Sequence, residues 1–277
     1  MTAVAQPPQM ALAMRLAEAA DHPVEWPGLG RREPGPIRLL VVPDAATMQR
    51  MTRGGAPSWG AALALPGIHT IIIRADVERP EASLRHELAH LVLHDAVRVR
   101  VPLWFDEGYA AYASGEWDRM ELLGMNLALA TGSAPDLREL DAMLRDSEGR
   151  ADIAYALATS AVLELGRRHP GGRLDSLFVQ LERGVGFDEA VLATTGLTLP
   201  RFELAWQDRL RHRYNLMGWL IAGGFWVLVA LFVATGVLVR RHLDGPRREA
   251  LNEGWTLPEE ADLPPPSGAV DPGSGIS

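Results

Sequence analysis

From Leu216 to Val239 the chain runs for 24 residues without a charged side chain, and that run limits what the rest can become. A bilayer core of about 30 Å is crossed by roughly 20 apolar residues in a helix. A soluble helix of that length carries a polar stripe, and none is present here. The run therefore divides the chain into a lead-in (residues 1–35), a globular domain (36–214), one transmembrane helix (215–239) and a Pro-rich, acidic tail (240–277) whose composition predicts disorder. A single-pass membrane protein is expected, with the lipid bilayer as a partner through residues 215–239. Tyr214 and Trp219 suit the membrane interface. Arg209, Arg211 and Arg213 precede the run and Arg240, Arg241, Arg247 and Arg248 follow it, a balance that assigns neither side to the domain.

The net charge of −8 argues against nucleic acid as a partner. The chain has no cysteine, so any metal is held by histidine and carboxylate. Residues 1–35 predict a short helix within a Pro/Gly-rich lead-in. Strands are expected over Ile37–Val42, Trp59–Leu65 and Ile68–Arg74, the last two as a hairpin around Pro66-Gly67, with a helix over Ala45–Met51 between. Pro80 at a first helical position opens a helix to about His94. A second helix runs from Pro102 or Leu103 to Gly115. Helical periodicity then recurs near 117–130, 137–145, 151–168, 173–183, 187–194 and 200–213. The class is α+β, a small sheet followed by helices.

His86-Glu87-Leu88-Ala89-His90 is an H-E-x-x-H pattern. Four residues apart on a helix, His86 and His90 project from one face and can share one zinc ion. Glu87, about 100° around the helix from His86, reaches a zinc-activated water without ligating the metal. A catalytic zinc takes a third protein ligand. Glu107, at the start of the next helix, is the preferred candidate and His94 the rival. His86 and His94 stand about 12 Å apart along one helix axis at 1.5 Å per residue, too far to share an ion comfortably. Apolar Leu84, Leu88, Ala89, Leu91, Val92 and Leu93 surround the motif, so its polar groups are costly unless paired or metal-bound.

These residues, with Trp104 to Tyr112 and weaker positions from Ala154 to Tyr214, resemble the gluzincin branch of zinc metallopeptidases, closest to the peptidase MA-like family, over about residues 36–214. The resemblance implies a zincin, thermolysin-like catalytic domain. It implies one zinc ion per chain held by His86, His90 and Glu107, with Glu87 as general base and Tyr155 supporting the oxyanion. An acid that such enzymes carry four residues after the glutamate ligand is replaced by Ala111; Asp106 is one substitute for orienting a histidine. A Gly-x-Met-Glu-Asn segment is absent, which disfavours an aminopeptidase. Ile68–Arg74 matches the place of an edge strand onto which a peptide adds; ordinary sheet core is the other reading, since Ile71, Ile72 and Ile73 are all apolar, and the two are compatible. The expected function is a membrane-anchored zinc endopeptidase acting on peptide or protein substrates. The competing readings are a degenerate zincin serving as a membrane-tethered scaffold, against which the intact Glu87 speaks, and a multi-spanning protease, against which the single span speaks.

Overall fold

The computed structural model describes residues 1–22, 24–55, 60–115, 135–145, 148–219 and 224–252. The chain divides into two compact units, Met1–Met217 and Gly218–Ser277. The class is α+β, mostly helical with a small sheet.

The first unit is built on a four-stranded sheet in the order β1 (Thr2–Ala5), β4 (Arg38–Val42), β6 (Thr70–Arg74), β5 (Ala62–Leu65). β1, β4 and β6 run parallel, and β5 returns antiparallel to β6 through a 3-10 turn at Pro66–Ile68. Side chains alternate across a strand, and the alternation sorts the core. Leu39, Val41, Ile71 and Ile73 face the main core, whereas Val42 and Ile72 pack with Met48 of α2 (Ala45–Met51) on the other side. A two-stranded ribbon, β2 (Glu25–Trp26) with β3 (Gly30–Arg31), and α1 (Met10–Ala20) complete the N-terminal part.

Two expectations change here. Residues 1–35 are part of the fold, because Thr2–Ala5 pairs with Arg38–Val41 and Ala13 and Leu16 of α1 are fully buried. The strand Ile68–Arg74 is also not at an edge. Its ordered part, β6, lies between β4 and β5, and the consecutive Ile71, Ile72 and Ile73 are buried on both faces, as an interior strand requires. Among the described residues, β5 is the outermost strand on that side.

Above the main-core face lie α3 (Pro80–Ala96) and α4 (Leu103–Ser114), joined by a short connection. Gly115, at φ +82°, ends α4 in the left-handed conformation that glycine adopts without penalty. Then follow α5 (Leu137–Arg145), α6 (Glu148–Arg168), α7 (Asp175–Glu182), α8 (Phe187–Thr195) and α9 (Leu199–Trp219). The helix expected near 117–130 lies outside the described residues. α4 crosses α6 with little room: a Cβ on Gly108 would stand 2.5 Å from the Ala158 backbone carbonyl. Trp104, Phe105, Tyr109, Phe178, Phe187 and Phe202 form one aromatic cluster beneath these helices. Buried aromatic polar atoms are satisfied, Tyr109 donating to the Pro27 carbonyl at 3.0 Å and Trp206 Nε1 to Ser160 Oγ at 3.0 Å.

The second unit contains α10 (Phe225–Asn252). Among the described residues no helix is long and apolar enough to cross a membrane. Within the run expected to span the bilayer, one helix closes at Trp219 and the next opens at Phe225, with residues 220–223 outside the described residues. The apolar part of α10, Phe225 to Val239, reaches only about 22 Å at 1.5 Å per residue, short of a 30 Å core. α10 also continues to Asn252, through the first part of the tail expected to be disordered. Arg, Leu, Glu and Ala in that stretch are good helix formers. Residues 253–277 lie outside the described residues.

Candidate metal centre

The pattern His86 to His90 lies in the middle of α3, walled by buried Leu84, Leu88, Leu91, Val92 and Leu93. The first turn of α4 faces it and supplies Asp106 and Glu107. That turn is anchored from a distance: Asp141 of α5 accepts the Trp104 backbone N–H at 2.7 Å, satisfying one of the donors a helix start leaves open. The positive end of the α4 dipole favours both carboxylates.

One oxygen of Glu107 faces both imidazoles. Its Oε2 lies 3.5 Å from His86 Nε2 and 3.4 Å from His90 Nε2, and the three residues offer ligand atoms all within 4.8 Å of one another. Zinc binds such atoms at 2.0–2.2 Å in a tetrahedron, which puts neighbouring ligand atoms about 3.4 Å apart. The donor set and its spacing therefore fit a zinc ion.

Asp106 reads the same helix one step further along. Its Oδ1 lies 2.7 Å from His90 Nδ1 and its Oδ2 lies 2.8 Å from His94 Nε2. Asp106, the expected substitute for the acid absent at Ala111, thus lies within hydrogen-bond distance of His90. His94 turns to Asp106 and stands outside the His86, His90 and Glu107 group.

The carboxyl groups are driven apart electrostatically. Burial raises the Glu87 pKa above the ordinary carboxylate range, against the opposing charges of His90 and His86. Burial also opposes charge on Glu107, but the nearby charges of His90 and His86 prevail and bring its pKa to about 2. For Asp106 burial is likewise outweighed by hydrogen bonds from His90 and His94, and the carboxyl stays well below its usual range. Burial would depress His90, yet the Glu107 charge and the hydrogen bond to Asp106 hold it well above an ordinary histidine. Glu87 alone of these three acids is shifted upward.

The Ala64 backbone of the outer strand β5 is near enough to lower the Glu87 pKa slightly, against the larger effect of burial. Tyr155, in α6, brings its ring centroid to 6.1 Å from that of His86, edge to face. The Gly108 contact at Ala158, one turn along α6, permits that approach. Thus His86, Glu87, His90, Glu107 and Tyr155 are gathered in one place. Sequence reasoning missed the anchor Asp141, the nearness of Ala64 to Glu87 and the partner of His94; the long reach from α5 to α4 leaves no local signal, whereas His94 lies visibly one turn beyond His90.

A family model described as Peptidase MA superfamily matches residues 28–212. A search of curated proteins finds no match to this chain.

Proposed function

The chain belongs to the peptidase MA superfamily, and from that premise we propose that it is a zinc endopeptidase attached to a membrane. The observation that carries the reading is the 3.4–3.5 Å spacing of Glu107 Oε2 from the two imidazole nitrogens, which matches ligand atoms around one tetrahedral ion. His86, His90 and Glu107 hold the zinc, which when bound polarises a carbonyl and acidifies a water. Glu87, buried and raised in pKa, takes the proton of the attacking water and delivers it to the leaving amine nitrogen. Tyr155 donates its hydroxyl to the carbonyl oxygen as negative charge gathers there.

A peptide substrate adds to the outer edge of β5 through main-chain hydrogen bonds. The nearness of the Ala64 backbone to Glu87 brings that strand beside the base. An extended segment laid along it needs no terminus to be gripped, which favours internal cleavage. Attachment to a bilayer rests on the uncharged 24-residue run in the sequence and on the exposed apolar side chains of α10, Phe232 at 82% and Leu238 at 65% exposure among them.

The test is metal analysis with an unfolded protein substrate. Wild type carries one zinc per chain and cleaves. Glu87→Gln keeps the zinc and loses about 10²–10⁴-fold in rate, the range for removal of a general base. Equal cleavage by both overturns the assigned base. Zinc binding with no cleavage of any peptide supports a scaffold in place of an enzyme.

A further inference from the structure

We propose that His94 is a positioning residue for the zinc ligand His90, acting through Asp106. The proposal rests on the zinc reading above. α3 presents three imidazoles one turn apart, and α4 presents two adjacent carboxylates. The carboxylates take the imidazoles in overlapping pairs, Glu107 with His86 and His90, Asp106 with His90 and His94.

The distances separate two kinds of contact. Glu107 stands 3.4 and 3.5 Å from its imidazoles, the spacing of atoms around a shared ion. Asp106 stands 2.7 and 2.8 Å from its own, the spacing of charge-assisted hydrogen bonds. The trio His90, His94 and Asp106 also has ligand atoms within 4.8 Å of one another, but its inner contacts of 2.7 and 2.8 Å are those of hydrogen bonds and shorter than the spacing of ligand atoms around a tetrahedral zinc.

A zinc-bound His90 coordinates through Nε2 and carries its proton on Nδ1, which donates to Asp106 Oδ1. That bond holds the ring only if the carboxylate plane is held. An aspartate χ2 torsion is broad and two-fold, so a bond to one oxygen leaves the plane free to turn. The His94 Nε2–H donated to Oδ2 fixes the second oxygen from the same rigid helix. Orienting partners of this kind contribute about 10–100-fold to metal affinity.

The experiment uses the full chain in detergent and zinc itself as probe, with affinity and release rate read by competition against a chromophoric chelator. His94→Ala is expected to weaken zinc binding about tenfold, the low end of that range. His94→Gln, whose amide N–H reaches the same oxygen, restores most of it. In an Asp106→Asn background His94→Ala changes affinity less than about twofold, since residues acting through one network are non-additive. Zinc affinity equal in wild type and His94→Ala overturns the proposal and leaves the metal site standing. Additive losses in the two backgrounds, or no rescue by glutamine, also overturn it. Two zinc ions in wild type and one in His94→Ala would make His94 a ligand in its own right and overturn the positioning role. Wild type that takes up no zinc overturns the metal site and this inference with it.

Discussion

α3 and α10 are both dominated by apolar side chains, yet they use them in opposite ways. α3 buries one broad side, with Leu91, Leu93 and Ala89 at 0% exposure; Glu87 is buried with it, His86 and His90 are half-buried, and Glu81, Arg85, His94 and Asp95 are exposed. α10 shows its apolar side chains outward from Trp226 to Val239, every one exposed. In the first helix hydrophobicity walls a partly buried group of charges, which interact more strongly there than in water. In the second it forms an exposed apolar surface. Composition alone does not separate the two; the placement of histidine and glutamate does, because polar groups are retained in a buried helix only where each has a partner.

Substitutions at matched apolar positions test that contrast. Leu91→Asp places an unpaired charge in the wall of α3 and should cost several kcal/mol, enough to unfold the first unit in a chemical denaturation series. Gly108→Ala is next. Its new methyl meets the Ala158 backbone, so α4 and α6 must separate, at about 1–3 kcal/mol. A lowered Tm with zinc retained is expected, since α3 and the α4 first turn are untouched.

A pH effect follows within the buried unit. His169 is 3% exposed, with Nδ1 at 2.7 Å from the Leu165 carbonyl and Nε2 at 2.8 Å from Thr194 Oγ1. Burial lowers its pKa below the ordinary 6.5, so the fold keeps it neutral. The unfolded chain takes up the proton first as pH falls. The stabilisation is complete above pH 6.5 and is lost as pH drops through the lower folded value. Denaturation of the metal-free protein between pH 8 and 5 should show this slope in wild type and a shallower one in His169→Gln. The smallest stability effect is expected at Leu231, 58% exposed on α10. Leu231→Asp should change stability by less than about 0.5 kcal/mol while reducing co-sedimentation with lipid vesicles. Unchanged sedimentation would break the contrast, leaving α10 an exposed helix with no lipid partner.

Much of the site's geometry was legible because it is local. The helical spacing of His86, Glu87 and His90 predicts their common place, and Glu107, expected from the need for a third ligand, is brought beside both imidazoles. Asp106 could be named as an orienting acid from the alanine at 111. What was not legible depends on distant parts of the chain. Thr2–Ala5 carries a weak strand signal and becomes β1 only by pairing with β4. The isoleucine-rich strand carried both an edge and a sheet-core reading, and its three consecutive buried isoleucines fit the interior position it takes; the half-buried Ala62–Leu65 is the outer strand on that side. The Asp141 anchor spans α5 to α4 and no spacing rule reaches it.

Asp106 and Glu107 are consecutive residues on a single turn. On the zinc reading proposed above, whatever displaces that turn would withdraw a ligand and the brace of another ligand in the same motion. Capture and release of the ion would then be concerted, with half-assembled arrangements disfavoured by the wiring of the backbone itself. The Asp141 tether, at the root of the turn, is then the natural point from which the whole grip would be loosened.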